Sequence, residues 1–389
     1  MTERLYELNS HLYSFSAAVT ELRETDGATW VVLDRTAFFP EGGGQAGDVG
    51  SIGGTAVTDT QICKGIVLHR VVDVGGLTVG AQVDCAVDGK LRFRRMQAHS
   101  GEHIVSGLAF SLYGASNVGF HMDDLLMTVD FDRYLQKEQL RALEKKANAC
   151  VWADLAVRAW RPSAQELKTL RYRSKLDSTE GLRLVSIEGI DLCACCAPHV
   201  ERTGEIGLIK ILSAVSHRGG VRITLVCGEA AYEDYALKYE NTLLSADLLK
   251  APHNAVPQAI EALQQKEEAL RQTLRVASDK YVRQVAESVV GGEGHGLIFA
   301  PDSEGEELGR IAAAAASRFG GFCAVFSGDD RKGYRFSILY PNEKYIPFTK
   351  ELLRSVNGRG GGSGLLIRGS CAAVRAQIEN ALSAFPVQA

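Results

Sequence analysis

The sequence predicts an α+β multidomain protein: a small N-terminal β-barrel, an α/β zinc-binding domain, a long helical linker of coiled-coil character and a C-terminal α/β domain. Three observations predict it. Short β-rich runs separated by Gly and Asp turns fill the first ninety residues, two His/Cys pairs at four-residue spacing occupy the middle, and a long helical pattern precedes a final alternation of strands and helices. The corresponding divisions are 1–90, 91–226, 227–290 and 291–389. At 389 residues, with 23% charged and 46% hydrophobic side chains, the chain has room for two or three separate cores and the composition of a folded protein. Its longest apolar runs fall far short of the ~20 residues a membrane span needs. Its first residues, Met-Thr-Glu-Arg, lack the basic start and apolar middle of a secretory signal, so a cytoplasmic protein with no membrane partner is expected.

In the first division, Thr29–Leu33 and Gly65–Val72 are strands of the expected barrel. Between them lies FFPEGGGQAGDVG, Phe38 to Gly50, whose adjacent glycines Gly42, Gly43 and Gly44 suit neither a helix nor a strand interior. A tight loop is expected there, its backbone close to another group and able to donate amides to an oxyanion or a phosphate.

The second division opens with Arg92, Arg94 and Arg95 and a helix expected from about Met96 to Leu112. It carries His-Ser-Gly-Glu-His, which puts His99 and His103 on one helical face. About ninety residues on, Cys195-Cys-Ala-Pro-His199 repeats the spacing with a thiolate at one end. Two imidazoles one turn apart make half a metal site, and the second pair completes a shell suited to zinc: His99, His103, Cys195 and His199. Nine Cys, three of them at Cys193, Cys195 and Cys196, argue for metal chemistry over a disulfide framework. Glu102 lies about 100° round the helix from His103 and is expected in solvent, and His121 is a candidate to reach the pocket. A strand from Leu125 to Phe131, helices around Gln136–Val151 and Ser163–Leu170, and a strand from Leu182 to Ile187 lead to the Cys cluster. Pro198 places Cys195 and His199 on a loop, and strands Leu208–Ala214 and Val221–Val226 close the sheet.

Helices are expected from Glu229 to Leu249 and from Pro257 to about Val289. In the second, Ile260, Leu263, Leu270, Leu274, Ala277 and Tyr281 form a seam that packs either within the chain or between two copies. The last division, from Gly291, has strands at Leu297–Ala300, Phe322–Ser327, Tyr334–Leu339 and Leu365–Gly369, with helices at Leu308–Phe319 and Ala372–Phe385. A glycine loop, Gly358 to Gly364, is expected within it. Although the net charge is −4, nine Lys or Arg against three acids between Asp330 and Arg375 make a basic surface able to neutralise phosphates.

In combination, FFPEGGGQAGDVG, HSGEH and CCAPH followed by RTGEIG resemble the editing module of alanyl-tRNA synthetases and the free-standing alanyl-tRNA editing proteins related to it. The C-terminal glycine-rich stretch is similar to the domain those synthetases share with DHH phosphoesterases. The resemblance implies that His99, His103, Cys195 and His199 bind one zinc ion. Two departures keep the choice of thiol open: Cys196 and Pro198 stand where the family has Gly and Thr, and Cys193 is nearby. It further implies that Gly42, Gly43 and Gly44 line the pocket for the aminoacylated adenosine, with Gln45 and Thr36 close to the reacting ester. The barrel begins almost at Met1, so an enzyme that clears esters without making them is expected. The reaction implied is zinc-dependent hydrolysis, in trans, of mischarged tRNA(Ala), chiefly seryl-tRNA(Ala) with glycyl-tRNA(Ala) as second candidate. A pocket for Ala excludes such small amino acids by only ~1–3 kcal/mol, hence the need for a second site. A homodimer through the linker or the last domain is compatible with the seam. The rival readings are a DHH-related phosphodiesterase, although no Asp-His-His triplet occurs, and a non-catalytic zinc-containing RNA-binding protein.

Overall fold

The computed structural model describes residues 2–25, 27–123, 126–174, 181–289, 295–319, 321–362 and 364–383. Leu125, Gly291, Ser363 and Phe385, which bound or interrupt expected elements, lie outside them. The chain forms two compact units, Met1–Leu244 and Ser245–Ala389, and the boundary falls inside the helix Glu229–Leu249.

In the first unit six antiparallel strands close into a barrel. They are β1 (Ser14–Thr25), β2 (Ala28–Leu33), β3 (Gly50–Ile52), β4 (Thr55–Cys63), β5 (Ile66–Val71) and β6 (Gln82–Val87). Their order is β1-β2-β5-β4-β3-β6, and the twelve-residue β1 closes the ring by pairing with β2 through its C-terminal half and β6 through its N-terminal half. Val19, Val31, Leu33, Ile52 and Val57 fill the interior together with Phe38. Alternation along the strands puts these side chains on one face, so a small closed sheet gains a dry core.

The helix α1 (Gly89–Tyr113) leaves the barrel directly. It starts seven residues before the expected Met96, because the Asp88 side chain accepts from the Leu91 amide as an N-cap. Gly114, in the left-handed region at φ 62°, ends it. An antiparallel sheet packs beneath: β7 (Asn117–Met122), β8 (Met127–Phe131), β12 (Ile209–His217) and β13 (Gly220–Cys227), in the order β12-β13-β8-β7. The helix α2 (Lys137–Trp152) shares its core with α1. A smaller sheet, β9 (Val157–Trp160), β10 (Leu184–Ile187) and β11 (Asp191–Ala194), carries the chain to the Cys cluster. The expected helix Ser163–Leu170 shrinks to one turn, Ala164–Leu167, with no buried side chain. Its Ser163/Glu166 capping box starts a helix that no apolar face sustains.

The helix α3 (Glu229–Leu249) follows, and α4 (Val256–Glu287), 32 residues and roughly 48 Å long, belongs to the second unit. Ile260, Leu263, Leu270 and Leu274 of the expected seam are exposed, and the buried residues of α4 are Val282 and Ala286. The C-terminal sheet runs β14-β15-β16-β18-β17, from β14 (His295–Phe299), β15 (Phe322–Asp329), β16 (Gly333–Leu339), β17 (Gly358–Gly361) and β18 (Leu366–Cys371). Helices α5 (Glu306–Phe319), α6 (Ile346–Ser355) and α7 (Arg375–Ser383) complete the unit. Part of the expected glycine loop is thus an edge strand. A Cβ at Gly360 would lie 2.6 Å from the Arg368 carbonyl, so the pairing with β18 requires glycine there. No helix among the described residues is long and apolar enough to cross a membrane.

Candidate metal centre

The four candidate ligands, distant in sequence, meet in the first unit. The ligating atoms of His99, His103, Cys195 and His199 all lie within 4.8 Å of one another, and all three imidazoles are buried. His99 and His103 stack one turn apart on α1, with ring centroids 5.5 Å apart. Cys195 and His199 come from the loop after β11, as the proline predicts.

Each imidazole is oriented through its Nδ1. His99 Nδ1 donates to Gln45 Oε1 at 2.9 Å, His103 Nδ1 donates to Asp191 Oδ2 at 2.9 Å, and His199 Nδ1 meets Ser100 Oγ at 3.0 Å. Asp191 is itself held by Arg173, whose Nε and Nη2 donate to its two oxygens at 2.7 Å each. With the protons at Nδ1, the Nε2 lone pairs face inward. The Cys195 Sγ lies 3.5 Å from His99 Nε2 and 3.3 Å from His199 Nε2. A sulfur and a nitrogen bound to one tetrahedral zinc at ~2.3 and ~2.05 Å would be about 3.5 Å apart. The donor set, the spacing and the outer hydrogen bonds therefore fit a zinc ion, and the cluster can hold a metal. Burial alone would raise the Cys195 thiol, but the surrounding imidazoles hold it well below the usual range, as a thiolate ligand needs. Burial lowers His199 to about 3, keeping it neutral. Burial also opposes charge on His103, but Asp191 and Cys195 win and raise it.

The glycine loop braces this quartet. Gly42 and Gln45 exchange backbone hydrogen bonds (3.0 and 3.1 Å) around Gly43 and Gly44, both at positive φ. A two-residue turn of this kind favours glycine at both centres. A Cβ on Gly44 would also approach the Phe120 ring to 2.8 Å. Asp48 closes the loop by accepting from the Phe39 amide at 2.6 Å and pairing with the fully buried Arg92 of α1. Phe39 packs with Tyr6 and Ala197, with Cys195 alongside, so the barrel clamps the loop that carries the sulfur.

Beside the quartet opens a cavity of about 1130 Å³, lined in part by His99, His103, Cys195, Gly43 and Phe120. Five arginines line it too: Arg4, Arg161, Arg171, Arg173 and Arg183. Gln45 is buried behind His99, its Nε2 without a partner among the described residues. Of the six residues expected to meet the substrate only Gly43 is on the cavity wall; Thr36, Gly42, Gly44, Gln45 and His121 are not. Thr36 is wholly buried, pairing with His69 Nε2 at 2.8 Å and accepting from the Phe38 amide at 3.1 Å. His121 is exposed: β7 alternates, Phe120 takes the inward position 5.1 Å from the His99 ring, and the next side chain points away. Gly42 spends its amide on Gln45. Glu102, expected in solvent, is buried and lines the cavity, because α1 is covered on both sides. Asp191 and Ser100 escaped the sequence reading. An Asp four residues before the candidate Cys, and a Ser inside the His pair, are the signals that could have found them.

The fold and site together define a class of module, in which a small barrel braces a metal-capable His/Cys quartet facing a basic cavity. Comparison with known proteins narrows it. Residues 9–91 match the family model described as tRNA synthetases class II (A), and residues 182–224, containing Cys195 and His199, match the threonyl and alanyl tRNA synthetase second additional domain. The chain is 36% identical over 245 residues to an alanine–tRNA ligase of Methanopyrus kandleri, covering 60% of this chain and 27% of the relative. It is 31% identical to the Halobacterium salinarum enzyme (88% and 39%) and 26% identical to that of Methanococcus maripaludis (98% and 43%). The chain is thus similar, over these segments, to alanine–tRNA ligases and spans less than half the length of these relatives.

Proposed function

We propose that this chain is a zinc-dependent aminoacyl-tRNA deacylase of the cytoplasm. It hydrolyses, in trans, the ester of tRNA(Ala) mischarged with Ser, with Gly as second candidate. The observation that carries this reading is the quartet: four zinc-type donors with all three imidazoles hydrogen-bonded at Nδ1, beside a cavity rimmed by arginine, two of the donors, Cys195 and His199, within a segment similar to the threonyl and alanyl additional domain. Zinc held by His99, His103, Cys195 and His199 would supply a Lewis acid for an oxygen of the ester, the water or the seryl side chain. The chain's own residues do the rest. Gln45 orients His99, Asp191 orients His103, and the arginines meet the phosphates of the tRNA end. The Gly43 amide, on the cavity wall, serves as donor to the carbonyl oxygen as charge develops on it. Thr36 acts through the packing of the barrel, not on the ester. The four divisions of the chain share the work: the barrel and the quartet domain take the aminoacyl end, while the helical linker and basic C-terminal domain hold the tRNA body or a second copy.

The test is release of labelled amino acid from Ser-tRNA(Ala), Gly-tRNA(Ala), Ala-tRNA(Ala) and Ser-tRNA(Thr) by the wild type and a His103→Ala variant of checked folding and zinc content. The expected outcome is selective loss of Ser, with weaker loss of Gly, from tRNA(Ala), and at least a ~100-fold slower rate in the variant, the size of losing a main electrostatic group. A folded, zinc-loaded wild type that deacylates none of them would replace this reading with the RNA-binding one.

A further inference from the structure

An aminoacyl ester brings an α-ammonium into the cavity, yet the charged wall of that cavity is mostly cationic. Among the described residues two carboxylates line it, Asp191 and Glu102. Both oxygens of Asp191 are committed, to Arg173 and to His103. Glu102 is different. Its Oε1 accepts from Ser106 Oγ, one turn along α1, and from Asn117 Nδ2 of β7 at 2.6 Å, and that amide also meets Ser106 Oγ at 3.1 Å. Its Oε2 has no hydrogen bond among the described residues. His103 Nε2, the ring nitrogen that faces the quartet, lies 4.0 Å from it. The carboxylate is not one of the metal-capable cluster, so it stands beside the centre instead of ligating it. A side chain 5% exposed, pinned at one oxygen, thus presents the other to the place where the reacting ester must lie.

We propose that Glu102 Oε2 accepts the α-ammonium of the bound aminoacyl group, so that the site takes esters of free α-amino acids and rejects N-acylated or peptidyl esters. The inference rests on the deacylase reading for its substrate. The physical basis is the cost of leaving an ammonium among arginines: a buried, hydrogen-bonded carboxylate offsets it, and acylation of the nitrogen removes the charge that pays that compensation back. Because Oε1 is already tied to Ser106 and Asn117, the free oxygen is aimed before substrate arrives, which reduces the ordering cost on binding.

The experiment measures binding to the full-length zinc-loaded protein of three non-hydrolysable 3′-amino-3′-deoxyadenosine amides, carrying seryl, N-acetylseryl and glyceryl (hydroxyl for ammonium) groups, beside turnover of Ser-tRNA(Ala). The wild type should favour the seryl amide over both others by roughly 10- to 100-fold, the worth of one charged hydrogen bond. In Glu102→Gln, which keeps the acceptor for Ser106 and Asn117, the preference should collapse with metal content unchanged. A wild type that binds all three alike, or none, overturns the inference without need of the variant. So does a variant with the preference intact, or with equal loss on all three. Seryl-selective binding without hydrolysis of Ser-tRNA(Ala) would defeat the deacylase reading and leave the ammonium contact standing, and hydrolysis without selectivity would do the reverse.

Discussion

Two buried histidines in the barrel half and the quartet half of the first unit follow opposite logic. Burial opposes charge on both: at His103 Asp191 and Cys195 counter it and raise the pKa, whereas at His69 burial prevails and lowers the pKa to about 4. The His69 Nδ1 faces the Val31 carbonyl at 2.9 Å, so Nδ1–H donates there and Nε2 accepts from the Thr36 hydroxyl. A histidine whose folded pKa is depressed supplies stability above its unfolded value near ~6.5 that is lost as pH falls through the folded value. The barrel should therefore lose about 3 kcal/mol between pH ~6.5 and ~4 from this group alone. Denaturant titrations at those two pH values should show that loss, and His69→Gln should flatten this part of the pH dependence while lowering stability at pH 7.

At the scale of elements, α1 reaches the turn before β11 only because it carries glycine where the two approach. A Cβ on Gly107 would lie 2.6 Å from the Ile190 carbonyl oxygen and 2.8 Å from the Asp191 Cβ. Gly101 plays the same part on the other side, where a Cβ would meet Cys227 Sγ at 2.4 Å. Asp191 can orient His103 because of the first of these approaches. Gly107→Ala should therefore destabilise the unit by about 1–3 kcal/mol through overpacking. By shifting Asp191 it should also weaken zinc binding by roughly 10- to 100-fold, the usual cost of losing an outer hydrogen bond to a ligand. Chelator competition and thermal melts on the same preparation check both, and unchanged zinc affinity would show that the approach matters for packing alone. The second junction, between barrel and helix, rests on the buried pair of Arg92 and Asp48. Arg92 also donates to the carbonyls of Ser10 and Ala37, so the guanidinium is satisfied on three sides.

At the scale of the whole molecule, the quartet and its cavity lie entirely within Met1–Leu244, while the basic stretch from Arg331 to Arg375 belongs to the second unit. Removal of residues from Pro257 onward should weaken binding of Ser-tRNA(Ala) by ten-fold or more at ~0.1 M salt, where phosphate contacts carry much of the affinity. The single-turnover rate of bound substrate should change little. An unchanged affinity in the truncated chain would remove the tRNA-holding role proposed for the second unit.

The sequence by itself determined the four His and Cys that cluster, their four-residue spacings, the barrel and the glycine turn, because each is a local pattern: a residue type, a period or a left-handed backbone that its own neighbours impose. Helix α3 was legible to the residue for the same reason, and Cys195 and His199 fell on a loop because Pro198 bars a helix before it. Which side of each element faces the cavity was decided only by tertiary structure. Thr36 and His121 turn away from it and Glu102 turns towards it, since the choice depends on what covers α1, β7 and the barrel wall, and those partners lie far along the chain. Asp191 and Ser100 became part of the centre by the same long-range meeting: their places near Cys195 and between the two histidines are a hint in the sequence, but a hydrogen bond to Nδ1 is a matter of distance in space.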